Sequence, residues 1–176
     1  MTAQFTTKLG VDVFSASTIQ DHQLGSRICI KYGTDADKQL ECVYVEASAA
    51  ITQGQICEIP LIAGTDAYDA DAPLTKTNAA VIANAQNEIF AAGVALATLA
   101  DGEFGWFAVK GTIPVLCAAS LAAKTPVGLT ATAGVLDDAD TDYEVVNLYA
   151  IEAVGGSQAI TDCFVPHDIL IKRNAA

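Results

Sequence analysis

Between residues 27 and 166 the chain is a succession of short apolar runs cut by Gly, Pro and Asp. Residues 27–32 (RICIKY) alternate, with Ile28 and Ile30 opposite Arg27, Cys29 and Lys31, and residues 40–45 (LECVYV) form a second run. The polar stretch 33–39 between them starts at Gly33, so the two runs predict a hairpin whose tip projects into solvent. Residues 51–62 carry Gly54 and then Ile56 and Ile59, which fits a turn followed by a short strand; Pro60 keeps that strand away from a sheet centre. Residues 63–78 read as a loop. Residues 78–88 are Ala-rich without Pro, which fits a short helix or more loop.

Residues 94–117 carry the clearest pattern. An apolar run at 94–99 and a second at 103–110 flank Asp101-Gly102, a dipeptide that predicts a tight type I′ hairpin. In the second run Phe104, Trp106 and Ala108 share one face, and Gly105, Phe107 and Val109 share the other. Apolar residues on both faces predict a central strand buried on both sides, with Trp106 in the core. Gly105 leaves room for a close neighbour, and Gly111 is expected to turn the chain into another short strand at 112–117. Farther on, 143–154 and 158–166 flank Gly155-Gly156-Ser157 and predict a further hairpin. Residues 51–64 align without a gap on 121–134. This fits two similar turn–strand units in one barrel, or coincidence in an Ala-rich chain. The sum is about eight to eleven short strands, a mainly β barrel or sandwich over residues 27–176.

Residues 1–26 are polar and lack a period. Their apolar residues are spaced out, as in an extended arm that orders on a neighbour or in a loosely packed terminus.

Composition narrows the function classes. Nine basic against 21 acidic residues give a formal charge of −12 in 176 residues. That argues against direct contact with nucleic acid or an anionic membrane. No run reaches the length of a membrane span, and residues 1–14 do not read as a signal peptide. Five widely spaced cysteines without a CxxC read as small buried residues in a reducing compartment. Motifs for a serine hydrolase elbow, a phosphate cradle or an HExxH zinc site are missing, so neither an enzyme nor a cofactor is expected. Asp138, Asp140 and Asp142 open like a calcium loop, but Tyr143 stands where Gly belongs and Tyr149 where the bidentate Glu belongs. A solvated acidic turn is the better reading, as it is for Asp66, Asp69 and Asp71.

Three stretches carry a resemblance: Tyr-Val-x-Ala-Ser-Ala-Ala-Ile-x-x-Gly at 44–54, Gly-Val-Ala at 93–95 and Asp-Gly-x-Phe-Gly-Trp-Phe-x-Val-x-Gly at 101–111. Together they resemble the small decoration, or cement, proteins and related minor head proteins of tailed bacteriophages, over most of 24–165. The resemblance implies a β-rich, often trimeric module without catalytic activity. Such a module is made in the host cytoplasm and binds the major capsid protein on the outside of the head. On that reading Phe5, Leu9, Val11 and Phe14 of the arm are the partner contacts. Another virion component (tail tube, shell or receptor-binding module) and a small-molecule-binding β-barrel are the alternatives.

Overall fold

In the computed structural model the described residues are 11–33, 38–60, 69–75, 89–139 and 143–173. They form eleven strands and no helix: β1 Arg27–Tyr32, β2 Lys38–Ala47, β3 Ile56–Glu58, β4 Asp69–Ala70, β5 Ile89–Ala95, β6 Phe104–Cys117, β7 Pro126–Leu129, β8 Leu136–Asp138, β9 Tyr143–Ala150, β10 Ala159–Val165 and β11 Leu170–Arg173. The architecture is mainly β, as the alternation predicts, and the ladders are antiparallel apart from β2–β4 and β6–β8. The Ala-rich stretch at 78–88 lies outside the described residues.

The 14-residue β6 organises the rest. Gly111 sits opposite both Leu40 of β2 and Val165 of β10, so those strands flank β6 on opposite edges. β5 pairs with β6 at Phe107 and Ala108. From β5 the ladder runs through β11 to β9 and returns through β10 to β6, a closed circuit.

The expected break at Gly111 is absent, and one continuous strand changes face there. Glu41 faces Lys110 while Cys42 faces Ala108, so Val109 is an extra residue in β6, a bulge. Trp106 and Ala108 therefore point into the larger core, and beyond the bulge Ile113, Val115 and Cys117 point into it instead. Gly111 takes φ +101, and a Cβ there would collide with the Gln39 carbonyl, so only glycine fits.

The Asp101-Gly102 turn also differs from expectation. β5 ends at Ala95, because Leu99 is drawn away to exchange backbone hydrogen bonds with Ile51. The connection is thus a longer loop. It closes with Glu103 N–H donating to the Ala100 carbonyl, with Gly102 alone at positive φ, the pattern of a type II turn.

The 51–64/121–134 alignment proves to be the visible part of an internal structural repeat. Its first unit is β2, β3, β4, β5 and the first half of β6; its second is the other half of β6, β7, β8, β9 and β10. Gly54 and Lys124 occupy the same turn at φ +86 and +62. Gly54 N–H donates to Ala95 O at 2.8 Å, and Lys124 N–H to Ala150 O at 2.8 Å. Leu99 N–H donates to Ile51 O, and Val154 N–H to Leu121 O. Ser48 N–H donates to Ala70 O, and Ala118 N–H to Leu136 O. The registers agree as well: Val94 opposite Ala108 matches Tyr149 opposite Phe164, and Val43 opposite Phe107 matches Ile113 opposite Cys163.

Candidate interaction surface

Each unit has an inner and an outer face. The first unit's inner residues, among them Val43, Val45, Phe107 and Val109, build the smaller core. Their counterparts Ile113, Val115, Cys163 and Val165 lie in the larger core. The outer faces fare differently.

In the first unit the outer face is covered. Cys42, Val94, Leu96 and Ala108 share the larger core with Ile113, Val115 and Val165, and residues 11–26 cross the part at Tyr44, Phe104 and Trp106, held by paired backbone bonds between Ser17 and Phe104 at 2.8 and 2.9 Å and by Gly25 and Ser26 bonded to Tyr44. The Tyr44 hydroxyl accepts from Asp21 N–H at 3.1 Å. The His22 ring packs on Tyr44 and Trp106, with centroids 5.1 and 5.2 Å away. Val13 is buried in the core, and Val11, Phe14 and Leu24 pack against it. The arm expectation is thus revised for residues 11–26, which belong to the packed body. Val11 and Phe14 are half-buried there, packed against the larger core of the molecule. Phe5 and Leu9 lie outside the described residues. Trp106 is 3% exposed, a core residue as predicted and no platform for a sugar. A hollow of about 340 Å³ under the strap is walled by Asp12, Ser15, Asp21 and His22 over Phe104.

The second unit's outer face is open. Phe164 is 46% exposed, Ile160 45%, and Tyr149 and Ile151 41% each. Their first-unit counterparts, Ala108, Phe104, Val94 and Leu96, are buried or packed against the core. Phe164 and Tyr149 sit side by side, with Thr112 beyond Phe164 and Pro126 beyond Tyr149, so one row crosses four strands. Leu116 lies next to Ile160. Asp162, between Ile160 and Phe164, is paired with Lys38 and accepts from the Tyr32 hydroxyl at 3.3 Å. Beside Phe164 a second hollow of about 340 Å³ is lined by Cys29, Glu41, Lys110 and Pro166. No motif in the sequence marks this face. Its signal is the alternation Ile160, Asp162, Phe164, which reads equally well as an inward face.

The remaining candidates have structural duties. Asp138 accepts from Ala122 N–H at 3.1 Å and from the Thr125 hydroxyl at 2.7 Å, which clamps the turn before β7. Asp71 accepts from the Ser48 hydroxyl at 3.1 Å. Asp66, Asp140 and Asp142 lie outside the described residues, and among the described residues no three potential ligands gather. Cys42, Cys57, Cys117 and Cys163 are buried, as predicted, but Cys29 is exposed because it falls on the outer side of edge strand β1. Burial raises the Cys42 and Cys57 thiol pKa values well above normal. That of Cys117 is raised by its hydrogen bond with Cys163 and then by burial. Arg27 bridges Asp168 at 3.0 Å and Glu41 at 2.9 Å; the Asp168 bond is the main reason its pKa is raised. In comparison with known proteins, the chain matches no family model and no curated protein.

Proposed function

We propose that this protein is a structural virion component, a decoration protein that docks on the outer surface of a bacteriophage head and braces neighbouring capsomers. The observation that carries the reading is the open apolar row of Ile160, Phe164, Tyr149 and Ile151. Exposed apolar side chains grouped on two paired strands are what a protein-docking site needs. The phage-protein resemblance of residues 44–54, 93–95 and 101–111 selects the kind of partner. The charge of −12 keeps such a protein soluble before assembly and away from packaged DNA.

The test is chromatography with light scattering on the purified protein, alone and mixed with assembled phage heads. Co-elution with heads, lost in Phe164→Asp, is the expected result. A protein that ignores heads, or assembles into tubes by itself, overturns the reading.

A further inference from the structure

We propose that the hollow under residues 11–26 binds a small organic ammonium ion that carries an oxygen close to its charge, the chemistry of an amino alcohol. This site is separate from the open row of the second unit and does not depend on docking there.

The floor of the hollow is aromatic. Tyr44 and Phe104 lie nearly parallel, with ring centroids 6.3 Å apart and planes at 14°. Trp106 stands 5.0 Å from Tyr44, and the His22 ring closes on both at 5.1 and 5.2 Å. All four rings line the hollow. Ring faces attract organic cations, most strongly where water is excluded.

Charge selects the sign of the ligand. Residues 11–26 bring Asp12 and Asp21 to the wall, and no Lys or Arg lines it. Both residues are held in place: Asp12 accepts from Phe14 N–H at 3.0 Å, and Asp21 N–H donates to the Tyr44 hydroxyl at 3.1 Å. Neither carboxylate has an ion-pair partner among the described residues. An anion entering here meets like charge, and a cation meets two opposite charges. A bare metal ion is a poor fit, because no three potential ligands gather among the described residues.

Trp106 adds the oxygen. Its indole N–H makes no hydrogen bond among the described residues, whereas every fully buried side-chain nitrogen and oxygen there has a partner. The N–H therefore belongs to the 3% of the residue that is exposed, at the hollow that Trp106 lines. An indole nitrogen only donates, so the group that satisfies it is an acceptor. A hollow of about 340 Å³ lies at the small end of ligand pockets, which suits a ligand of few atoms.

The experiment titrates the isotope-labelled full chain with choline chloride at constant ionic strength and follows the amide and indole N–H resonances. The single tryptophan gives one indole signal. Saturable shifts are expected there and at residues 12–22, 44 and 104. Dimethylbutanol, the uncharged isostere of choline, should bind at least tenfold more weakly. Asp12→Asn combined with Asp21→Asn keeps the shape and removes the charge, and it should weaken choline at least tenfold with thermal unfolding unchanged. An indole signal that stays still overturns the proposal, as does equal binding of dimethylbutanol. Should the double variant fail to fold, the comparison of the two ligands on the native chain still decides. Sedimentation with phosphatidylcholine vesicles tells the source: co-sedimentation identifies a lipid head group, and binding of free choline alone identifies a soluble ligand, each in support of the site.

Discussion

The two halves of β6 are one strand in two environments. Phe104–Lys110 runs between two apolar layers, with Trp106 and Phe107 buried on opposite faces; beyond Gly111 only Ile113, Val115 and Cys117 are buried, while Thr112, Pro114 and Leu116 look outward. The same contrast separates the two units. Their hydrogen-bond frames match, so backbone geometry does not decide what becomes core. The neighbours decide it: the first unit's outer residues share the larger core with Ile113, Val115, Cys163 and Val165, residues 11–26 close over Tyr44, Phe104 and Trp106, and the second unit's outer face is left open.

The sharpest way to break this comparison is at its hinge. Gly111→Val introduces a side chain at positive φ against the Gln39 carbonyl, and the cost should exceed about 3 kcal/mol, enough to prevent folding under ordinary conditions. Gly102→Ala also sits at positive φ but meets open space, so it should cost only about 1 kcal/mol in denaturant unfolding. Equal losses would show that Gly111 is not a steric hinge. Next comes the covered face. Trp106→Ala should cost about 3–5 kcal/mol, because the ring is fully enclosed. A loss of a few tenths would place Trp106 on the surface.

Alkaline titration compares the interiors of the two units. The Cys42, Cys57 and Cys117 thiols have raised folded-state pKa values. In the unfolded chain they ionise near about 8.5. Above that pH the unfolded state releases protons that the native state keeps. Their contribution is therefore complete below about pH 8.5 and is lost as pH rises, by about 1.4 kcal/mol per thiol per pH unit. Replacing all three by Ala should flatten the slope between pH 8.5 and 10; an unchanged slope would mean that these thiols ionise in the fold. The smallest effect belongs to the open face. Phe164→Ala should change stability by less than about 1 kcal/mol, since nearly half of the ring is already in water. A larger loss would show that the row is intramolecular core.

Much of the fold was legible because strand period survives in short windows. The two-sided burial of 104–109 could be read from Phe104-Gly105-Trp106-Phe107; β9 and β10 do pair, but β9 ends at Ala150 and meets Cys163 and Phe164, so a longer loop joins them in place of the expected Gly155-Gly156-Ser157 turn. The repeat was legible only at 51–64 and 121–134, where both units keep the same length. The constant offset of 70 residues (54 to 124, 56 to 126) also joins β2 to the second half of β6, but there Val43/Ile113 and Val45/Val115 share chemistry with little identity. At β5 and β9 the offset falls to 55 (95 to 150) because more residues separate β3 from β5 than β7 from β9, which hides the match from any ungapped alignment. The strap was illegible for another reason: Val11, Val13 and Phe14 have no period, and only contacts made in the fold, such as Phe14 near Tyr32 and His22 on Tyr44 and Trp106, give the segment its place. The candidate surface escaped because Ile160 and Phe164 alternate as buried residues do.

Sharing β6 also has a consequence for the order of assembly. The strand must meet β2 behind it, β5 just before it and β10 some fifty residues ahead (113 to 163). A nascent chain that has just released residue 117 can pair only the strands of the first unit, with Ile113 and Val115 still in water. Neither half can finish alone, and closure waits for β11, Leu170–Arg173, to join β5 to β9. Such distant pairing slows folding, since loop closure must precede the contacts that reward it. The protein should therefore mature as a single late event rather than unit by unit, despite being built from two.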